Sequence, residues 1–460
     1  MAASLERFDV IVAGGGVAGI AAAVTLAEHG ARVALIEARP YLGGRVRSFH
    51  HSSTGDEIDN GQHLMMGAYT STFQLLRLLG THRFVEVQST LHVEFREPDG
   101  IADHFTAPSF LPGSLALATA TARLRPFQWS DARGLLRLGR AIREPLDPSL
   151  TVSNLLLRCE VSPHIVNALW RPLTIATLNT LPEQASARLF ASVLRLGFLG
   201  PRAHARLALP QAPLSHLFNP AADFIHKRGG VVRTSTTVQR IEQQGTDTVV
   251  MMRDGGVTRA TQVIVALPLP SISRTVEPAL VPAPIAALAA AYHPSPIVSG
   301  YLWFDQPLER VPQFCALRRS TTEWVFNRRR IDPAPPPRSA PSGLLSVTIS
   351  AADAETGWND SQLLAHVEGE LRNWLPEMKD ARMAEGIVIR EKRATFRATP
   401  EFEQLREDWG RERCSPGISF AGDWDNTGLP GTIEGAARSG IRQAQAVIKT
   451  REMGDNPRWR

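Results

Sequence analysis

A chain of 460 residues, 43% of them hydrophobic, is too long for one ordinary domain and can bury a large core, which excludes a disordered or single-module protein. Its net charge of +5 is small for this length, and Lys227, Lys379, Lys392 and Lys449 are its lysines, so arginine supplies the rest of the 50 basic residues. That skew, without a basic stripe interleaved with aromatics, argues against a nucleic-acid partner. Cys159, Cys315 and Cys414 stand far apart, giving no zinc site, no other metal spacing and no redox pair. Free thiols suit a reducing, cytoplasmic setting, and no basic-then-apolar leader opens the chain. The longest uncharged stretches, Phe105–Ala122 and Pro278–Phe304, both carry prolines. Neither reads as a spanning helix, which takes roughly 20 mostly apolar residues. The expectation is a soluble or membrane-peripheral protein.

In chain order, Phe8–Ala13 is a strand rich in β-branched residues. A glycine loop and an Ala/Leu/Val helix to about His29 follow, and Gly30 stops that helix. Arg32–Glu37 completes a βαβ unit. From about Leu75 to Arg206 the chain reads as mostly helical, with many arginines and leucines. Ser215–Arg228 is a predicted helix. Strands are predicted at Val231–Thr234, Val238–Glu242, Thr248–Arg253, Gln262–Leu267, Ile297–Phe304 and Gly343–Ser350. Asp332–Pro341 is a proline-rich exposed loop. A helix at Ser361–Leu375, a strand at Ile418–Ala421 and a helix from about Thr432 to Lys449 close the pattern.

Gly14-Gly15-Gly16-Val17-Ala18-Gly19, between a strand and a helix, is a dinucleotide fingerprint. Gly14 permits the turn, Gly16 lets backbone approach a pyrophosphate, and Gly19 lets helix and strand pack. The helix start offers free N–H groups to phosphate. Glu37, at the end of the next strand, can accept both ribose hydroxyls and would repel a 2′-phosphate. Ala38-Arg39 and then Gly43-Gly44-Arg45 suit a loop lying along a long, bent dinucleotide.

These residues resemble the FAD motif of the amine oxidase and phytoene desaturase superfamily, and the far end of the chain extends the resemblance. Phe420-Ala421-Gly422-Asp423 places a carboxylate for ribityl hydroxyls. In Gly431-Thr432-Ile433-Glu434, N–H groups near Thr432 and Ile433 would face the pyrimidine edge of the flavin. Val238 matches a backbone contact to adenine, and the strand holding Ala266 matches the family's third FAD-side strand. The resemblance implies an α/β fold with a discontinuous Rossmann-like FAD domain, residues 1–80, 210–285 and 411–460. A substrate domain of helices plus a mixed sheet, residues 81–209 and 286–410, is interleaved with it. No cysteine lies in Thr427–Glu434, so the FAD is expected to be non-covalent. No second glycine fingerprint exists for a nicotinamide domain, so the electron donor is external.

Amine oxidases of this superfamily place a lysine near the flavin from a strand matched to Pro296–Phe304, and that strand has none. Asp59-Asn60-Gly61-Gln62-His63-Leu64, with Tyr69, and Trp170-Arg171-Pro172-Leu173, with Asn179, resemble the bacterial squalene-associated FAD enzymes, the hydroxysqualene dehydroxylases. The resemblance runs over most of the chain and implies a long isoprenoid substrate. It puts Gly61, Gln62 and His63 against FAD, His63 and Tyr69 in the chemistry, and Trp170 and Asn179 on the substrate cavity. Arg123–Arg143 carries six arginines against Asp131, near Phe127 and Trp129. That pattern suits a peripheral contact with anionic lipid or a solvated helix face. A carotenoid-type desaturase, an amine or porphyrinogen oxidase, and a flavin-free prenyl-binding escort remain open at this point.

Overall fold

The computed structural model describes residues 6–108, 110–411 and 416–452; Cys414 lies outside them. The strand Glu6–Ala13 runs into Gly14, at φ 110°, and then into the helix Val17–Glu28. That helix is buried from Val17 through Ala27, on every side rather than on one stripe. The cause is a second helix, Ile433–Glu452, which clamps it against the sheet. Where the two cross, a Cβ on Gly440 would lie 2.0 Å from the Ala18 carbonyl oxygen, so only glycine fits.

The first sheet runs Val231–Arg233, Val33–Ile36, Glu6–Ala13, Val257–Val265, Asp247–Met252, Val238–Gln244, with Ile418–Phe420 also on Val257–Val265. The long strand Val257–Val265 serves two patterns. It pairs parallel with Glu6–Ala13 along its length, antiparallel with Asp247–Met252 at its start, and parallel with Ile418–Phe420 at its end. The sheet therefore draws on three separated stretches of chain.

A second sheet of seven strands runs Met383–Phe396, Pro294–Phe304, Gly343–Ser350, Trp324–Asn327, Phe314–Leu317, His92–Arg96, Ala102–Thr106. Its pairings are antiparallel apart from Phe314–Leu317 on His92–Arg96. Of the helices between Gly113 and Phe198, Gly113–Ala122 packs on its edge strand Ala102–Thr106. A small sheet joins Met65–Met66, Leu207–Pro210 and Val85–Val87. The architecture is α/β.

Two expectations need correction, and one long strand adds to them. The stretch from Leu75 to Arg206 is not mostly helical at its start. Val85–Val87, His92–Arg96 and Ala102–Thr106 are strands, the last two a hairpin whose turn puts Asp99 and Gly100 at positive φ. In His92–Arg96 burial alternates with the strand period, Val93 and Phe95 inward, so this hairpin is a packed sheet edge. Ser215–Arg228 is two short helices, Leu214–Phe218 and Ala221–His226, because Pro220 cannot donate an N–H inside a helix. Met383–Phe396, a strand of 14 residues, was not foreseen; its charged and apolar residues leave most of it half-buried. Among the described residues no helix is long and apolar enough to cross a membrane.

Candidate active site

The glycine turn is built by close contacts. A Cβ on Gly19 would come within 1.8 Å of the Gly14 carbonyl oxygen, and one on Gly14 within 2.3 Å of the Ala266 carbonyl oxygen. Ala266 in turn donates its N–H to Ala13. Beyond Gly16 the space is open, with no atom within 4 Å of an added Cβ, while Gly44 packs on Gly16 from the loop side. Gly43 forms a parallel bridge with Gly16. The Glu37 carboxylate is held by the Gly15 N–H at 2.6 Å and the Arg39 N–H at 2.7 Å. Ser235 and Thr236 donate N–H to the carbonyls of Arg39 and Glu37, which brings the segment before Val238 against Glu37, Ala38 and Arg39.

At the other end, Arg45 reaches Asp423 at 2.7 Å and donates to the Ala394 carbonyl at 2.6 Å. Burial works to lower the Arg45 pKa, but Asp423 outweighs it and raises it, so the guanidinium stays charged. The Gly422 N–H is bound to Ser439. Thr432 accepts the Gly435 N–H and caps the helix Ile433–Glu452. The Thr432 N–H is spent on the Pro430 carbonyl, so of the two N–H groups expected toward a flavin, that one is taken. With Gly440 seated on Ala18, eight helical residues at a rise of about 1.5 Å put Thr432 about 12 Å along the helix from the glycine turn. The open turn, the Glu37 carboxylate and the Arg45–Asp423 pair lie within reach of one extended dinucleotide, and they fit FAD.

Arg45, Gly61, Gln62, His63, Tyr69, Asn179, Thr432 and Ile433 line one cavity. Its far walls are apolar: Val93, Phe95 and Phe105 from the hairpin, Leu173, Leu196 and Phe198 from helices, Trp324 and Phe326 from the second sheet. One polar group on its wall is Tyr69 with Thr432 and Glu434, the last paired with Arg438, and Arg45 lies near Glu391, while Thr348 beside Trp324 adds a hydroxyl to the apolar side. Ile297 and Ser299 line it from Pro294–Phe304, which carries no lysine.

His63 Nδ1 donates to the Gly61 carbonyl at 2.8 Å, which leaves Nε2 as the ring's acceptor. Burial lowers the His63 pKa, so the ring is neutral near neutral pH. This geometry suits an acceptor rather than a proton donor. Tyr69 precedes the helix Thr70–Leu78; burial and the nearby Glu434 raise its pKa, and its hydroxyl meets Thr432. The phenol therefore keeps its proton.

Trp170 does not line the cavity. It is 3% exposed, packed edge-on against Phe190, with its indole N–H unpartnered inside the helical layer. Asn179 lines the cavity but its amide is committed. It donates to the Ser295 carbonyl at 3.1 Å and Thr395 at 3.0 Å, and accepts the Ala351 N–H at 2.6 Å. It is a clip between a helix end in the left-handed region and two strands.

Two sets of contacts escaped the sequence reading. Buried Arg328 donates to Gln62 at 2.8 Å and stands 3.9 Å from Asp59, holding the Asp59–His63 loop from behind. Glu434 accepts the N–H groups of Ser71 at 3.1 Å and Thr72 at 2.8 Å, capping Thr70–Leu78 from another helix. Arg328 opens an arginine triplet after a strand, which was a visible signal; the Glu434 contact, across 362 positions, left none. Among the described residues no cluster of His, Cys, Asp or Glu can hold a metal ion.

A mixed sheet whose parallel strands carry a glycine turn, a second helix start about 12 Å along from it, and a cavity with polar groups near that start define a nucleotide-dependent oxidoreductase. The sequence model for flavin containing amine oxidoreductases matches residues 17–448, and the chain belongs to that family. It is an FAD-dependent oxidoreductase with a two-domain FAD-binding fold. It is similar to a hydroxysqualene dehydroxylase of Zymomonas mobilis subsp. mobilis, 28% identical over 453 residues, covering 95% of this chain and 98% of the relative. A 15-cis-phytoene desaturase of Narcissus pseudonarcissus is 24% identical over 470 residues, covering 97% of this chain and 80% of the relative. A triple mutant of putrescine oxidase shares the fold, with TM-score 0.73 at 16% identity, covering 96% of this chain and 99% of that one.

Proposed function

We propose that this enzyme reductively removes the hydroxyl group of hydroxysqualene to give squalene, in the synthesis of hopanoid-type isoprenoids. The observation that carries the reading is the cavity: aromatic and aliphatic along most of its wall, with a polar cluster gathered where Thr432 and Ile433 begin the last helix. The hydroxysqualene dehydroxylase relative, matched over nearly its whole length, supports the same substrate class. The missing lysine on Pro294–Phe304 weighs against amine oxidation.

In the reaction the allylic C–O bond breaks, the hydroxyl leaves protonated as water, and carbon gains a hydrogen with an electron pair. That pair and hydrogen are the chemistry that bound FAD, reduced by an external donor, would supply. Gly14, Gly16, Glu37, Arg45 and Asp423 would hold it, non-covalently. Tyr69 passes its proton to the leaving oxygen, a stronger base than the phenolate, and recovers one from solvent, while His63 Nε2 accepts a hydrogen bond and orients the alcohol. Trp324 and Phe326, stacked 6.3 Å apart on the far wall, pack against the apolar chain of the substrate. Purified holoenzyme with a chemical reductant should convert hydroxysqualene to squalene; no squalene with any of several reductants would reject the assignment. The phytoene desaturase relative supports a second reading, dehydrogenation of a polyene precursor by oxidised FAD. Incubation with phytoene and an electron acceptor separates the two.

A further inference from the structure

Single exposed apolar side chains are ordinary on protein surfaces. Among the described residues, four of the nine large exposed ones fall in one short stretch: Phe110 at 74%, Leu115 at 56%, Trp129 at 86% and Leu136 at 72%. They lie on and beside two helices that pack together, Gly113–Ala122 and Asp131–Ala141. Leu136 is not on the packed side of its helix, where Gly134 and Leu138 are buried. It shares an exposed face with Arg133 and Arg140, three and four residues away. Exposed Arg123, Arg125, Arg137 and Arg143 surround the same helices, and of these six arginines Arg137 alone pairs with a described carboxylate, that of Glu160. Apolar tips set among uncompensated cations match a surface of apolar chains beneath anionic headgroups.

This face also leads inward. A small side cavity lies between Pro108–Ala116 and the chain from Phe198 to Arg206. Leu91, Leu117 and Phe198 line both it and the main cavity, so these three side chains are the partition between them. Phe198 ends a π-helical segment, Leu194–Phe198, a local irregularity of the kind found where a helix must move or present a site. We propose that the helices Gly113–Ala122 and Asp131–Ala141 dock on an anionic phospholipid bilayer, and that the apolar substrate enters from it past Leu91, Leu117 and Phe198. The entry path rests on the function proposed above; the docking does not.

The test is sedimentation of holoenzyme with vesicles of phosphatidylglycerol and phosphatidylcholine. Wild type should bind, less so at high salt and less to phosphatidylcholine alone. Trp129→Ala with Leu136→Ser, and Arg133→Glu with Arg140→Glu, should each weaken partitioning by about tenfold or more with the flavin spectrum unchanged. Val257→Ser, an exposed apolar position on the first sheet, should have no effect. Leu111→Trp, which fills the side cavity and lies outside the main one, should bind vesicles normally yet turn over a vesicle-borne long allylic alcohol slowly, while a short soluble allylic alcohol reacts as in wild type. Wild-type protein left in the supernatant, or equal loss in Val257→Ser, overturns the docking. So does a dimer that the Trp129 and Leu136 changes convert to monomer, since the face would then bind a second copy. Normal turnover of the vesicle-borne alcohol by Leu111→Trp overturns the entry path alone, and failure of wild type on both alcohols counts against the proposed reaction instead.

Discussion

Tyr69 and His63 sit at the same polar end of the cavity with opposite hydrogen-bonding capacity. Tyr69→Phe should keep the flavin absorbance and KM but lower kcat by about 100-fold, the usual worth of a positioned proton donor. His63→Gln should raise KM more than it lowers kcat. A different side chain reports on acid. Desolvation pushes the Asp56 pKa up, but hydrogen bonds from Arg329 at 2.6 and 2.9 Å and from Trp303 at 2.7 Å prevail and hold it below the usual value. Its folded pKa lies under its unfolded one, so its contribution is complete above the unfolded value and is lost as pH falls through the folded value. Arg329→Met should move the acid-unfolding midpoint to higher pH, seen by circular dichroism. Gly440→Ala forces a methyl onto the Ala18 carbonyl and should cost about 1–3 kcal/mol, with weakened FAD affinity, readable as a lowered Tm and a raised Kd.

Two elements are held by groups far away in sequence. Glu434, from the last helix, caps the helix that begins just after Tyr69, so Glu434→Gln should cost about 1 kcal/mol and also lower kcat by displacing that tyrosine. Arg406, fully buried on Pro400–Gly410, donates to the carbonyls of Trp424 at 3.0 Å, Asp425 at 2.7 Å and Leu429 at 2.8 Å, and pairs with Glu403. It clamps the loop that delivers Gly431 and Thr432. Arg406→Met should destabilise by about 3–5 kcal/mol in urea unfolding, because it strands a buried carboxylate and three acceptors, and adding Glu403→Met should recover part. These couplings show what could be read beforehand. The glycine turn, Glu37, the Arg45 loop and the Gly-Asp strand were legible because each is a local pattern whose spacing states its own geometry. The hairpin His92–Arg96 and Ala102–Thr106 was missed although its alternation and its Pro-Asp-Gly turn were in view, since the helical segments that follow dominated the reading. Trp170 went astray for a different reason: an aromatic residue looks the same whether it faces a cavity or a core, and neighbours distant in sequence decide which.

On the scale of the whole molecule, one strand gathers the chain. Val257–Val265 joins the meander before it, the parallel strand Glu6–Ala13 and the late strand Ile418–Phe420. Nothing covalent holds the nucleotide in the proposed mode, so acid denaturation should release FAD to the supernatant, measured by its fluorescence after filtration. The seat of Gly440 on Ala18 carries a consequence for biogenesis. During synthesis the glycine turn emerges early, yet the helix that presses on it and brings Thr432 is made hundreds of residues later. A nascent polypeptide thus carries an exposed, half-finished nucleotide cradle for most of its time on the ribosome, and loading with flavin must be one of the last events of maturation.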